Sequence, residues 1–303
     1  MQILKKISFS LIIRYALALG ILVYLIRSDS FSFLTELYRL SFVTVLGAVA
    51  IKLLVYVSVS WRWWFILQKA SVPIKYWDVF FLNATGLLTS YVLPSAVSAD
   101  VGRFYYMRGL KIPLEKVSLS IFMDRLFGLV SLLLMLVVGL LLNPEVWTKL
   151  DFLIRVDRIY VLSAVLIVII VGLLLAARFK HRLKKLHFLS AFADWKLWAV
   201  ATVVGILSQG LYVLCICWIA LRESLTQVTF INTLIVFPLS ALSMIVPTTP
   251  GALGVGQVIY KFLYDFMSSS VGSDGVLIFT VLQLSDLPFL GIGFYFLLKK
   301  KRV

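Results

Sequence analysis

Six stretches of this chain are long and apolar enough to form membrane-crossing helices, at about residues 8–27, 41–60, 118–142, 159–177, 197–221 and 276–298. Each is near the ~20 residues that a helix needs to cross the hydrocarbon. Two further apolar stretches, about 79–98 and about 229–264, are interrupted by prolines. The second contains Pro247-Thr-Thr-Pro250-Gly251-Ala-Leu-Gly254-Val-Gly256-Gln257. Proline removes a donor and blocks the preceding turn, and glycine loosens what remains. Backbone that leaves the helix at membrane depth must be buried in protein or line a cavity. In transporters such broken helices often hold the substrate.

The charged residues between these stretches orient them, because cytoplasmic flanks are rich in Lys and Arg. Lys5 and Lys6 place the N-terminus inside. The loop with Arg27, Asp29, Glu36 and Arg39 is balanced and reads as external, and the one with Arg62, Lys69, Lys75 and Asp78 as internal. Beyond 79–98 the chain is basic again, through Arg103, Arg108, Lys111 and Lys116, so this stretch enters and leaves on the cytoplasmic side. Residues Glu145 to Arg158 read as external, and Arg178, Lys180, Arg182, Lys184 and Lys185 as internal. Arg222 and Glu223 cancel, Asp265 and Asp274 follow the second interrupted stretch, and Lys299 to Arg302 end the chain inside. The second stretch therefore dips from outside.

The expectation is an all-α polytopic membrane protein, a single domain over 1–303, with about six full spans and two re-entrant helical elements. The halves, about 1–150 and 151–303, follow one plan in opposite orientations, an inverted repeat of the kind common in secondary transporters. Asn83 precedes Pro94 as Asn232 precedes Pro247, and Asp124-x-x-Phe127 resembles Asp286-x-x-Phe289.

Composition agrees: 61% of the 303 residues are hydrophobic and 14% charged, with a mean hydropathy of +1.01, which excludes the soluble globular class. The net charge of +15 comes from basic residues in short loops, a positive-inside pattern and not a nucleic-acid footprint. Cys215 and Cys217 lie two residues apart on a span and are poorly placed for a disulfide or a metal. The first apolar stretch contains Arg14 and lacks a small-residue cleavage pattern, so it reads as a retained span. No zinc motif, nucleophile elbow, Walker loop or dinucleotide fingerprint occurs. No catalytic residue, metal or cofactor is expected.

Four groups of residues are candidates for chemistry. Asp100 and Arg103 follow the first proline break, three residues apart, close enough to pair or to face one pocket. Both an interfacial ion pair capping a helix and a contact to an anionic headgroup fit that spacing, and the planar fork of Arg suits phosphate. Asp124-Arg125 lies about six residues into the third span, about 9 Å at 1.5 Å per residue, where charges usually face the bundle interior. Lys52 and Asp286 fall near the middles of their spans, and a pairing between them would neutralise both, for stabilisation or for transport. The fourth group is the backbone around Pro247 to Gly256. Trp61, Trp63 and Trp64, with Tyr105 and Tyr106, read as an aromatic belt at the cytoplasmic interface. His181 and His187 read as solvated members of the most basic loop.

Asn83 followed by Pro94 and Asp100-x-x-Arg103, then Asp124-Arg125-Leu-Phe-Gly128, then Pro247-x-x-Pro250-Gly251-x-Leu-Gly254-Val-Gly256, together resemble the flippase-like transmembrane domain of bacterial lysylphosphatidylglycerol synthases. That domain also occurs as a stand-alone integral membrane protein. This chain departs from the family in having Ser95, Ala96, Ser98 and Ala99 where relatives are richer in glycine, and Gln257 near a position where glutamate is common. The chain ends at Val303, just after its last span, so the aminoacyl-tRNA-dependent transferase domain of the fused relatives is expected to be missing, and lipid synthesis with it. The resemblance implies translocation of a phospholipid or lipid-linked substrate between leaflets of the cell (inner or plasma) membrane, both termini being cytoplasmic. The pathway residues would be Asn83, Pro94, Asp100, Arg103, Asp124, Arg125, Pro247, Pro250, Gly251, Gly254, Gly256 and Gln257. The expected partners are membrane lipids with anionic or lipid-linked headgroups, not nucleic acid. Two other functions fit: secondary transport of a small polar solute, and service as a non-catalytic partner of a separate lipid-modifying or glycosyl-transferring enzyme.

Overall fold

A computed structural model describes residues 40–92, 98–110, 112–154, 194–244, 249–269 and 272–300, and every regular element among them is helical. In chain order these are α1 (Phe42–Lys69), α2 (Tyr76–Val92), α3 (Ser98–Gly109), α4 (Leu114–Leu142), α5 (Pro144–Ile154), α6 (Trp195–Arg222), α7 (Phe230–Ser243), a single 3-10 turn (Pro250–Ala252), α8 (Val255–Ser268), α9 (Asp274–Leu284) and α10 (Leu287–Lys300). The expected spans at 8–27 and 159–177, with Arg14, His181 and His187, lie outside the described residues, as do Pro94 and Pro247.

Among the described residues four apolar stretches are long enough to cross a membrane: α1, α4, α6 and the nearly continuous pair α9–α10, over Asp274–Lys299. Their boundaries follow local chemistry. Pro113 and Pro144 stand where a missing N–H costs least, just before α4 and at the first position of α5. Pro144 cannot donate to the carbonyl of Leu140, and the indole N–H of Trp147 takes that place at 3.0 Å. Asp194 opens α6 by accepting from the Lys196 N–H at 3.0 Å. A hydrogen bond from Lys69, together with that backbone N–H, holds the Asp194 carboxyl below its ordinary range. Thr229 caps α7 through the Asn232 N–H at 3.1 Å.

The chain forms two compact units, each drawn from several segments. The first comprises Met1–Leu53, Phe81–Tyr106 and Tyr212–Val303, and the second Leu54–Phe80 and Met107–Leu211. In the first unit α7, α8 and α9 pack in succession, and small residues let backbones approach closely. A β-carbon added to Gly293 of α10 would lie 2.5 Å from the Ala84 carbonyl oxygen of α2, and one on Gly86 of α2 would lie 2.8 Å from the Ala99 carbonyl oxygen of α3. Such small-residue contacts are how helices associate where lipid offers no hydrophobic drive. Phe296 closes the same junction by stacking on Phe81, 5.1 Å between ring centres, and resting against Tyr106.

In the second unit α4 is held to α1 by Trp63, which is fully buried and donates to Ser120 Oγ at 3.3 Å. Phe127 meets Trp198 of α6 edge-on at 5.0 Å. Trp63 is thus an interior anchor and not part of an interfacial belt; of that expected group Trp61 lies at the surface, stacked on Phe65.

Close packing at Gly293 makes a direct comparison possible, since Gly291, two residues away and on nearly the opposite side of α10, has open space around its missing β-carbon. Gly293→Ala is expected to lower stability by about 1–3 kcal/mol through overpacking. Gly291→Ala is expected to be neutral or stabilising by up to about 1 kcal/mol from helix propensity. Thermal unfolding of both variants in mild detergent checks the contrast.

Candidate functional site

The polar interior of the first unit is built around a break in its last span. Pro288 lacks an N–H and blocks continuation of the turn before it, so α9 ends at Leu284 and α10 restarts at Leu287. The Asp286 N–H turns to the Gln283 carbonyl at 3.1 Å, leaving the Leu282 carbonyl without its helical donor. Two side chains replace it: Lys52 Nζ at 2.6 Å and Ser285 Oγ at 2.7 Å. The same ammonium donates to Asp286 Oδ1 at 2.6 Å and lies 5.5 Å from the centre of the Tyr212 ring. Lys52 is 1% exposed, which is tolerable only because a carboxylate and a carbonyl replace its hydration. The other carboxylate oxygen, Oδ2, accepts from the Tyr91 hydroxyl at 3.0 Å.

Tyr91 carries this cluster to the unwound segment. Gly251, Ala252 and Gly254 have φ of 58°, 55° and 78°, with Leu253 at −57° between them, a sequence of backbone angles that an α-helix cannot contain. A β-carbon on Gly251 would sit 2.7 Å from the Tyr91 ring, so glycine is required there for both backbone and space. The polar backbone atoms of the segment find partners in protein. Gln283 Nε2 donates to the Gly251 carbonyl at 2.9 Å, Gln257 Oε1 accepts from the Gly254 N–H at 2.8 Å, and Gln257 Nε2 donates to Gln283 Oε1 at 2.8 Å. Thr249 Oγ1 covers the Leu253 carbonyl at 2.8 Å. Gln257 thus serves as the reaching-back half of a capping box for α8. A neutral amide can do this while also donating onward to Gln283. Gly256 is required by packing, since any β-carbon would overlap the Phe279 ring.

The third cluster of this unit joins Asn83, Asp100 and Arg103. Arg103 Nη2 donates to Asn83 Oδ1 at 2.6 Å and Nη1 to Asp100 Oδ1 at 3.2 Å, and all three residues are buried. Asp100 lies in the first turn of α3, where the helix dipole favours a negative charge. The three residues noted from sequence are therefore one group, pinning α2 to α3.

In the second unit Asp124 and Arg125 part company. Asp124 is buried and accepts from Arg62 Nε at 2.8 Å, whereas Arg125 is at the surface. Arg62, expected in a cytoplasmic loop, lies well inside α1 because that helix runs on to Lys69. It is 5% exposed. Its guanidinium fits beside two glycines: a β-carbon on Gly205 would lie 3.2 Å from Nη1, and one on Gly128 3.5 Å from Nη2. Among the described residues Arg62 Nη1 makes no hydrogen bond.

Sequence reasoning missed Arg62, Tyr91 and Gln283. The signal for Arg62 was present, since the apolar run from Phe42 continues past it to Leu67 and a buried Asp124 demands a cation. Tyr91 and Gln283 carry no comparable signal; their roles arise from what they touch.

Breaking the Arg62–Asp124 pair leaves an uncompensated buried charge. Asp124→Ala is expected to cost about 3–5 kcal/mol of stability, while Arg62→Met combined with Asp124→Leu is expected to recover most of it. Denaturation of the reconstituted proteins measures both.

Neither curated proteins nor solved structures yield a significant match to the chain. A family described as the lysylphosphatidylglycerol synthase TM region matches residues 11–290. That span covers all three clusters and the unwound segment, and the chain belongs to this family of integral membrane domains.

Proposed function

We propose that the protein translocates a phospholipid or lipid-linked substrate between leaflets, its headgroup passing along polar walls while its acyl chains stay in lipid. The observation that carries this reading is the unwound segment Pro250–Gly254, with its backbone bonded by Gln257 and Gln283 and its flank resting on Tyr91 beside a buried ion pair. Maintaining irregular backbone and ionised groups among apolar helices is expensive, and such features mark substrate or ion pathways. The buried cations are of the kind that suits a phosphate. Family membership supports a flippase-like role.

On this reading the chain moves a substrate and makes or breaks no bond. Its plan is six spans and two re-entrant elements in inverted halves, set in the cell membrane with both termini cytoplasmic. The short helices α7 and α8, packed together on either side of the unwound segment, fit the second re-entrant element. Helices α2 and α3, brought together at Gly86 and by Arg103, fit the first. The two aspartates of the repeat, Asp124 and Asp286, each precede a buried phenylalanine by three residues and each pair with a cation on α1.

Reconstituted protein is expected to accelerate leaflet exchange of fluorescently labelled phosphatidylglycerol over protein-free vesicles. Gly251→Ala imposes left-handed strain of roughly 1–2 kcal/mol and a collision with Tyr91, and is expected to slow exchange on the order of tenfold. Exchange by wild type at the protein-free rate, or full activity in Gly251→Ala, would count against the reading. Uptake of a labelled polar solute without lipid exchange would favour a solute transporter instead.

A further inference from the structure

The Lys52–Asp286 pair sits in a setting whose oxygen atoms and aromatic face all suit a cation. A carboxylate oxygen, a carbonyl freed by a helix break and an aromatic face surround one positive charge. Here that charge is tethered, as the ammonium of α1. A tethered cation cannot leave, but it can change its counter-ion. Asp286 has a second oxygen turned to the half-buried Tyr91, at the edge of the unwound segment.

We propose that the Lys52–Asp286 pair is a proton-coupling site, in which Lys52 exchanges the Asp286 carboxylate for the phosphate of an anionic substrate as Asp286 takes up a proton. The inference rests on the translocation reading above. The charge balance is simple. With the site empty, one ammonium faces one carboxylate. When a phosphate monoanion pairs with Lys52, the carboxylate is left as a second negative charge in a buried place, and like charges in such a site resist joint ionisation. A proton from the aqueous phase bonds to an Asp286 oxygen and restores neutrality, and on release of the anion that proton leaves again as the ion pair re-forms. One anion and one proton therefore move together, and no net charge crosses.

The surroundings link this exchange to the pathway. Among the described residues the titratable groups facing the pair are Tyr91 on α2 and Tyr212 and Cys215 on α6. All are ordinarily neutral, so Asp286 is the carboxylate available to the proton among the described residues there. Once protonated, Asp286 no longer offers Tyr91 the same charged acceptor. Tyr91 supports Gly251 from one side, and Gln283, three residues before Asp286, holds the Gly251 carbonyl from the other. Occupancy of the proton site thus acts on the unwound segment through its Tyr91 support.

Two measurements on the full chain in phosphatidylglycerol-containing vesicles test the proposal. In the first, acidification is followed by infrared difference spectroscopy. A protonated-carboxyl band is expected to appear on titration in the presence of the anionic lipid and to be lost in Asp286→Asn. Should that single variant fail to fold, Lys52→Gln with Asp286→Asn removes both charges together and serves instead. In the second, labelled phosphatidylglycerol is allowed to distribute under an imposed pH gradient. One-to-one coupling changes its leaflet ratio about tenfold per pH unit, and the variant abolishes that response. Absence of an Asp286-dependent band overturns the proposal. Exchange that proceeds with a leaflet ratio indifferent to pH also overturns it while leaving translocation intact. No exchange at all overturns translocation of this lipid and the coupling with it. Proton-driven uptake of glycerol phosphate without lipid exchange overturns the lipid source and assigns the same coupling to a soluble phosphate.

Discussion

Burying a lysine ammonium in an apolar helix bundle is costly unless the protein supplies a replacement for water. In the first unit the replacement is a carboxylate and a backbone carbonyl, and the carbonyl is available only because a proline breaks the helix that carries it. Charge and backbone irregularity are therefore one feature. Lys52 satisfies the atom that the break exposes, and the break provides the atom that Lys52 requires. Both lie between α1 and the last span, more than half of which is buried inside the protein.

The segment Pro250–Gly254 applies the same rule with neutral groups. Three residues with positive φ remove the helical ladder, and amide side chains from α8 and α9 stand in for it. The ring that supports Gly251 carries a hydroxyl bonded to Asp286, so the segment and the ion pair are neighbours joined through Tyr91. In this setting Gln257 has a definite task as an acceptor from backbone and a donor to Gln283, which a carboxylate could fill only in part.

The second unit solves a similar problem differently. Arg62 is larger than Lys52, and room for its guanidinium comes from Gly128 and Gly205, with Asp124 as its counter-charge. Glycine elsewhere lets backbones touch; here it admits a buried cation. The family match over residues 11–290 spans both arrangements.

Hydrophobic length and charge by themselves determined the all-helical membrane class, because a span is a local property of about 20 residues and loop charges act without reference to folding. The break over Pro250–Gly254 was also legible, since proline and glycine act on their own backbone. The spacing of Asp100 and Arg103 marked a pair, but Asn83 as its third member depends on how α2 and α3 pack. Lys52 and Asp286 were visible as misplaced charges, 234 residues apart; only the tertiary structure decided that they meet. It alone separated Asp124 from Arg125 and gave Asp124 to Arg62. The physical reason is that a charge in a span announces its need for a partner within its own sequence, whereas the partner's identity is set by which helix faces present an opposite charge at hydrogen-bond distance.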